Sequence, residues 1–197
     1  MTNVIFEEEI LNQPDDMKAT IEFIRNSYES INLKSVDFRR LIFVGSGDSY
    51  IAPHSLLFLI SKYINTHTMI LTPLDVLNYS YGVDDLIVLI SFSGESKQLI
   101  RAKKFIRKFN CITFSITYNS KNSISSGCNY NYKIPIKSNR LTPHATDYMN
   151  TLLAIALLIE KYIGEKLGIL DDLPIKVSEQ IQLSYPLVKK ACKKIFK

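Results

Sequence analysis

Residues 86–90, Leu-Ile-Val-Leu-Ile, limit the fold more than any other stretch of this chain. Five apolar residues in a row are too few for a buried helix, and the run is rich in Ile and Val. It predicts a strand covered on both faces, as in a parallel sheet. The run gives way to Ser91-Phe92-Ser93-Gly94-Glu95-Ser96. An amphipathic helix is expected next, with Leu99, Ile100, Phe105 and Ile106 inward and Lys97, Arg101, Lys104, Arg107 and Lys108 in water. A strand, a small hydroxyl-rich turn and a helix together make an anion site. The first helical N–H groups have no partner in the helix, and the macrodipole adds partial positive charge there. The serines supply hydroxyl donors, and Gly94 lets the backbone come close. A phosphate monoester suits such a loop. The ordinary alternative is a strand-to-helix turn with a serine N-cap, and these residues alone leave both open.

The same alternation recurs along the chain. Strands are expected at Leu41–Val44, Met69–Leu71, Leu86–Ile90, Cys111–Ile116 and Tyr130–Ile134. Helices are expected at Phe6–Ser30, Ile51–Tyr63, Leu74–Tyr79, Ser96–Phe109 and Asp147–Leu167. A basic helix should follow from Pro174. The first helix should be interrupted near Pro14 and the last near Pro186, because proline lacks an N–H. Residues 147–167 are apolar nearly all round, so they should be buried in the domain or in an oligomer interface. The pattern gives an α/β fold: a doubly wound, five-stranded parallel sheet flanked by helices. Ligands of such sheets bind beyond the carboxyl ends of the strands, where strand order switches. Two polar loops sit there, Gly45–Ser49 and Ser91–Ser96, and they should be neighbours facing one ligand.

Composition narrows the function. The 197 residues suit one α/β domain, alone or with a helical extension, and the net charge is +5. Apart from a lysine-rich tail (Lys189, Lys190, Lys193, Lys194, Lys197) the cations are dispersed, and no nucleic-acid motif appears, so no nucleic-acid partner is expected. The tail reads first as a solvated face. Cys111, Cys128 and Cys192 are scattered without a CxxC spacing. That points to a reducing cytoplasm and away from zinc or disulfides. No apolar run is long enough to span a membrane, and Glu7-Glu8-Glu9 does not resemble a signal peptide. Gly45-Ser46-Gly47 could open a dinucleotide fingerprint, but Tyr50 occupies the place of the third glycine. A P-loop is excluded because no GK[ST] follows.

Gly45-Ser46-Gly47-Asp48-Ser49 after the first strand and Ser91–Ser96 after the third resemble the sugar isomerase (SIS) domain of phosphosugar isomerases and phosphosugar-binding regulators. The likeness extends to the isomerase half of glutamine:fructose-6-phosphate amidotransferases. Their EI-x-EQP signature is similar to Glu9-Ile10-Leu11-Asn12-Gln13-Pro14, and their GTSY and SQSGET loops to Gly47–Tyr50 and Ser91–Ser96. It runs from about Phe6 to Gly168. It implies a helical segment at 1–38, a SIS domain at 39–170 and a basic helical extension at 171–197. It also implies that Gly47, Ser49, Ser91, Phe92, Ser93, Gly94, Ser96 and Thr146 hold a sugar phosphate. Phe92 stands where the family has a glutamine, Asp48 where it has a threonine, and Asp147 where a lysine is usual.

Aldose–ketose isomerisation moves a proton between C1 and C2 through an enediol, so it needs a base and an acid. The resemblance offers Asp147 as base and His144 as acid, with no metal and no cofactor. Each has a plainer reading: His144 as a solvated loop histidine, Asp147 as a helix N-terminal charge. His54 has an outside claim on the sugar, and Glu95 reads as a helix N-terminal charge. Three functions remain in view. One is an isomerase of a hexose or aminohexose phosphate, assembled as a homodimer or tetramer because one domain lacks a full acid–base set. A second is a phosphosugar sensor without turnover. A third is the isomerase subunit of a split glucosamine-6-phosphate synthase.

Overall fold

The computed structural model describes residues 2–29, 31–119, 121–135 and 145–195. The apolar run lies in β3 (Asp85–Ser91), and every residue of that strand is buried. Around it stand β1 (Arg40–Val44), β2 (His67–Leu71), β4 (Ile112–Thr117) and β5 (Tyr130–Lys133). The order is β2-β1-β3-β4-β5, with every neighbouring pair parallel. Six helices flank the sheet: α1 (Thr2–Ser27), α2 (Asp48–Ser55), α3 (Leu57–Tyr63), α4 (Lys97–Ile106), α5 (Ala145–Ile163) and α6 (Gly168–Ile195). This is the doubly wound α/β sheet expected from the alternation.

Side-chain alternation along the strands divides the core in two. Leu41, Phe43, Leu86, Val88 and Ile90 point to the face covered by α1, α2, α3 and α5. Ile42, Val44, Ile87 and Leu89 point to the other, which α4 covers with Leu99, Ala102 and Ile106. Each such buried Leu or Ile contributes about 1.5–3 kcal/mol. α1 packs on α5 and α6, so its Met17, Ile21 and Ile24 belong to the main core. None of the described helices is long and apolar enough to cross a membrane.

Charges tie the end of the sheet where the strands begin. Asp85 is fully buried and takes Arg40 through two bonds of 2.7 and 2.5 Å and the Gly82 N–H at 2.7 Å. Burial pushes the Asp85 carboxyl up, but Arg40, the Gly82 N–H and Arg39 more than offset that and hold it below the usual carboxylate range. Nearby, Arg25 of α1 grips Glu160 of α5 at 2.5 and 3.0 Å and also pairs with Asp171 of α6. Glu160 accepts the Leu167 N–H as well, at 2.8 Å.

Several boundaries differ from expectation. α1 continues through Pro14, and α6 continues through Pro174 and Pro186. Proline forfeits one helical bond, but packing of α1 along α5 and α6 holds these helices. The helix expected at 51–63 is two, broken at Leu56 (φ −105°, ψ 6°). The expected helix at 74–79 is a 3₁₀ turn, Asp75–Asn78. α5 stops at Ile163, because Gly164 takes a left-handed φ of 74° and donates to Glu160 O at 2.9 Å. Gly168, expected to end that helix, instead opens α6.

Candidate functional site

β1 and β3 are neighbours, and the helices that follow them pack on opposite faces of the sheet. That makes their carboxyl ends the switch point of strand order, where an open α/β sheet leaves a crevice. A cleft of ≈ 560 Å³ lies there. Ser46, Gly47, Asp48 and Ser49 line it from the β1–α2 loop. Ile90, Ser91, Phe92, Ser93, Ser96 and Leu99 line it from β3 and α4, and Asp147 and Thr151 from α5. The first turns of three helices thus meet at one cleft, each bringing positive dipole and amides without a helical partner.

The serine loop is shaped so that its hydroxyls face outward. The Gly94 N–H donates back to Ser91 O at 3.1 Å and Ser91 Oγ at 3.2 Å. The Glu95 N–H donates to Ser93 Oγ at 3.2 Å. Both serine oxygens accept from the backbone, which leaves their hydroxyl protons to donate to a ligand. Ser96 is the N-cap of α4, and its side chain makes no capping bond. The loop needs Gly94, which has φ 70° and whose added Cβ would collide with the Asn122 carboxamide. Asn122 is itself fixed: its Oδ1 accepts the Ile124 and Ser125 N–H groups at 2.9 and 2.8 Å. Gly47 also takes a positive φ, 56° with ψ −130°, a conformation close to glycine-only.

Glu95 acts as a clamp. Its carboxylate accepts the Ser123 hydroxyl at 2.6 Å and the Ser123 N–H at 2.9 Å, and these two bonds hold its pKa below the ordinary glutamate value. It therefore binds the neighbouring loop rather than the amides of its own helix. Lys103, buried in α4, holds the same loop through the carbonyls of Ser123 (3.0 Å), Ile124 (2.7 Å) and Ser126. Burial lowers the Lys103 pKa.

The cleft's charge is anionic. Asp48 and Asp147 line it, each in the first turn of its helix, and no Lys, Arg or His does so among the described residues. Helix dipoles offset such carboxylates, so anion binding here falls to hydroxyls and amides. No group of three His, Cys, Asp or Glu among the described residues could hold a metal ion.

Of the residues singled out by sequence, Gly47, Ser49, Ser91, Phe92, Ser93, Ser96 and Asp147 come together around the cleft. Gly94 shapes the loop from within and does not line the cleft. Thr146 lies beside Asp147 but is buried, and its Oγ1 has no hydrogen-bond partner. His144 lies outside the described residues. His54 is exposed, edge-on to Tyr50 at 4.9 Å, and does not line the cleft. Thr151 escaped the sequence reading. It sits one helical turn after Asp147 and donates to Asp147 O at 2.8 Å, so its i, i+4 spacing was the available signal.

The family model of the SIS domain matches residues 36–161. No curated protein matches the chain significantly. Among solved structures, the glucosamine-6-phosphate deaminase of Thermotoga maritima superposes with a TM-score of 0.74 at 18% identity, over 93% of this chain and 56% of that one. The C-terminal domain of glucosamine-fructose-6-phosphate aminotransferase from Francisella tularensis gives 0.65 at 18% identity, over 96% and 56%. A protein of E. coli, solved in complex with a sugar phosphate, gives 0.63 at 17% identity, over 86% and 96%. The chain therefore spans a little over half the length of its longer structural neighbours.

Proposed function

Because this chain belongs to the SIS domain family, we propose that it binds a sugar phosphate in the cleft between the β1–α2 loop and the serine loop. The carrying observation is the serine loop, whose hydroxyl oxygens accept backbone N–H groups while the Ser96 cap makes no bond. A phosphate monoester there receives O–H donors from Ser91, Ser93 and Ser96 and amides from the first turn of α4. Ser49 and the Gly47 turn close it from the facing loop. Thr146 contributes through the fold of α5. The sugar-phosphate complex of the E. coli neighbour is in keeping with this ligand class.

The reaction is an aldose–ketose isomerisation of a hexose or aminohexose phosphate. Asp147, at the cleft beside the first turn of α5, takes the proton from one of C1 and C2 and returns it to the other. The enediol carries the charge in between, and the neutral ring-opening acid is assigned to His144 on the preceding loop. A homo-oligomer, dimer or tetramer, completes the acid–base set. The cytoplasm is the compartment, and the helices at 1–38 and 171–197 frame a domain at 39–170. A second reading, a sensor that binds without turnover, is favoured by one observation: the only ionisable side chains lining the cleft among the described residues are two aspartates.

Incubation with fructose 6-phosphate in heavy water separates the two. Deuterium entering C1, followed by NMR and lost in Asp147→Asn, supports the isomerase. Thermal stabilisation by hexose phosphates without any exchange leaves the sensor.

A further inference from the structure

Phe92 stands between two serines of the loop and lines the same cleft. It cannot hydrogen-bond, and it is held in place from two directions. Its ring stacks on Tyr118 at 5.4 Å and an interplanar angle of 22°. Its carbonyl accepts the Tyr118 N–H at 2.9 Å, just past the end of β4. The ring is half-buried and packs on the main core, so it does not swing aside as a loose loop residue would. Ile90 and Leu99 line the cleft on the same side. The wall next to the serine hydroxyls is therefore apolar and fixed.

That wall treats ligand groups unequally. A sugar hydroxyl pressed against it gives up water and finds no partner, whereas a C–H face or a methyl group gains by leaving water. We propose that Phe92 is a specificity-determining residue: it selects phosphosugars that present a deoxy carbon or an acyl methyl group beside the phosphate, over the fully hydroxylated parent. This rests on the phosphate-site reading above. Tyr118 is the positioning residue that holds the ring.

The test is titration calorimetry of the full chain with glucose 6-phosphate, 2-deoxyglucose 6-phosphate and N-acetylglucosamine 6-phosphate. At least one of the last two should bind about tenfold more tightly than glucose 6-phosphate, the discrimination of a small apolar group. Phe92→Gln should bring that ratio to within about twofold, while Phe92→Leu, which stays apolar, should keep most of it. Inorganic phosphate should bind all three proteins alike, showing that the serine loop is intact. Equal binding of the three sugars by the wild-type chain would overturn the proposal, as would a preference that survives Phe92→Gln. Failure of phosphate and of every sugar phosphate to bind would instead bring down the site itself, and this inference with it.

Discussion

The two ends of the sheet handle polar groups in opposite ways. Where the strands begin, charges are buried and saturated: Asp85 with Arg40, Arg39 and the Gly82 N–H, and Glu160 with Arg25 and the Leu167 N–H. Where the strands end, the cleft has hydroxyls and helix-terminal amides facing open space, and its loop geometry is kept by glycines and by bonds behind the wall. The first end is finished within the chain. The second is set up to be finished by something else. Stability should therefore reside at the base and ligand affinity at the cleft, and substitutions should separate them.

The largest effect is expected at the base. Arg40→Met strands the buried Asp85 carboxylate and should cost about 3–5 kcal/mol in urea unfolding. The same pair sets an acid limit. Asp85 has a folded pKa below its unfolded value, so its stabilisation is complete above about pH 4 and is lost as pH falls through the folded pKa. Wild-type unfolding should lose stability through that window, and Arg40→Met should lose much less. Gly94→Ala should cost about 1–3 kcal/mol in stability, through its positive φ and the Asn122 clash, and should also weaken phosphosugar binding. This variant would blur the comparison, since it joins the frame to the site. The double change Ser93→Ala and Ser96→Ala should sharpen it. Binding of a sugar phosphate should weaken by about 1–3 kcal/mol, with the unfolding midpoint nearly unmoved. A large loss of stability there would mean that the serines serve the fold.

Much of this was legible in the chain. An unbroken apolar run such as 86–90 can be satisfied only by cover on both faces, so the central strand and the parallel sheet followed from it. The serine loop was legible because a short run of small residues between a strand and a helix has few other uses. Pro14 and Pro186 misled, because the helix break they favour locally is overruled by packing of α1 on α5 and α6. At the start of α5 the sequence could name the candidates but not sort them. One residue along a helix is a turn of about 100°, and that separates buried Thr146 from Asp147 at the cleft. The anchoring of the serine loop by Asn122, Ser123 and Lys103 was invisible, since those contacts join segments about 20 to 28 residues apart that only the sheet brings together.

Amide NMR of the ¹⁵N-labelled chain titrated with glucose 6-phosphate tests the division most directly. The amides of residues 47–51 and 94–99 should shift in a saturable way, while those of Arg39, Arg40, Asp84 and Asp85 stay in place. Saturable shifts confined to the base of the sheet, or no shifts at all with any hexose phosphate, would contradict it.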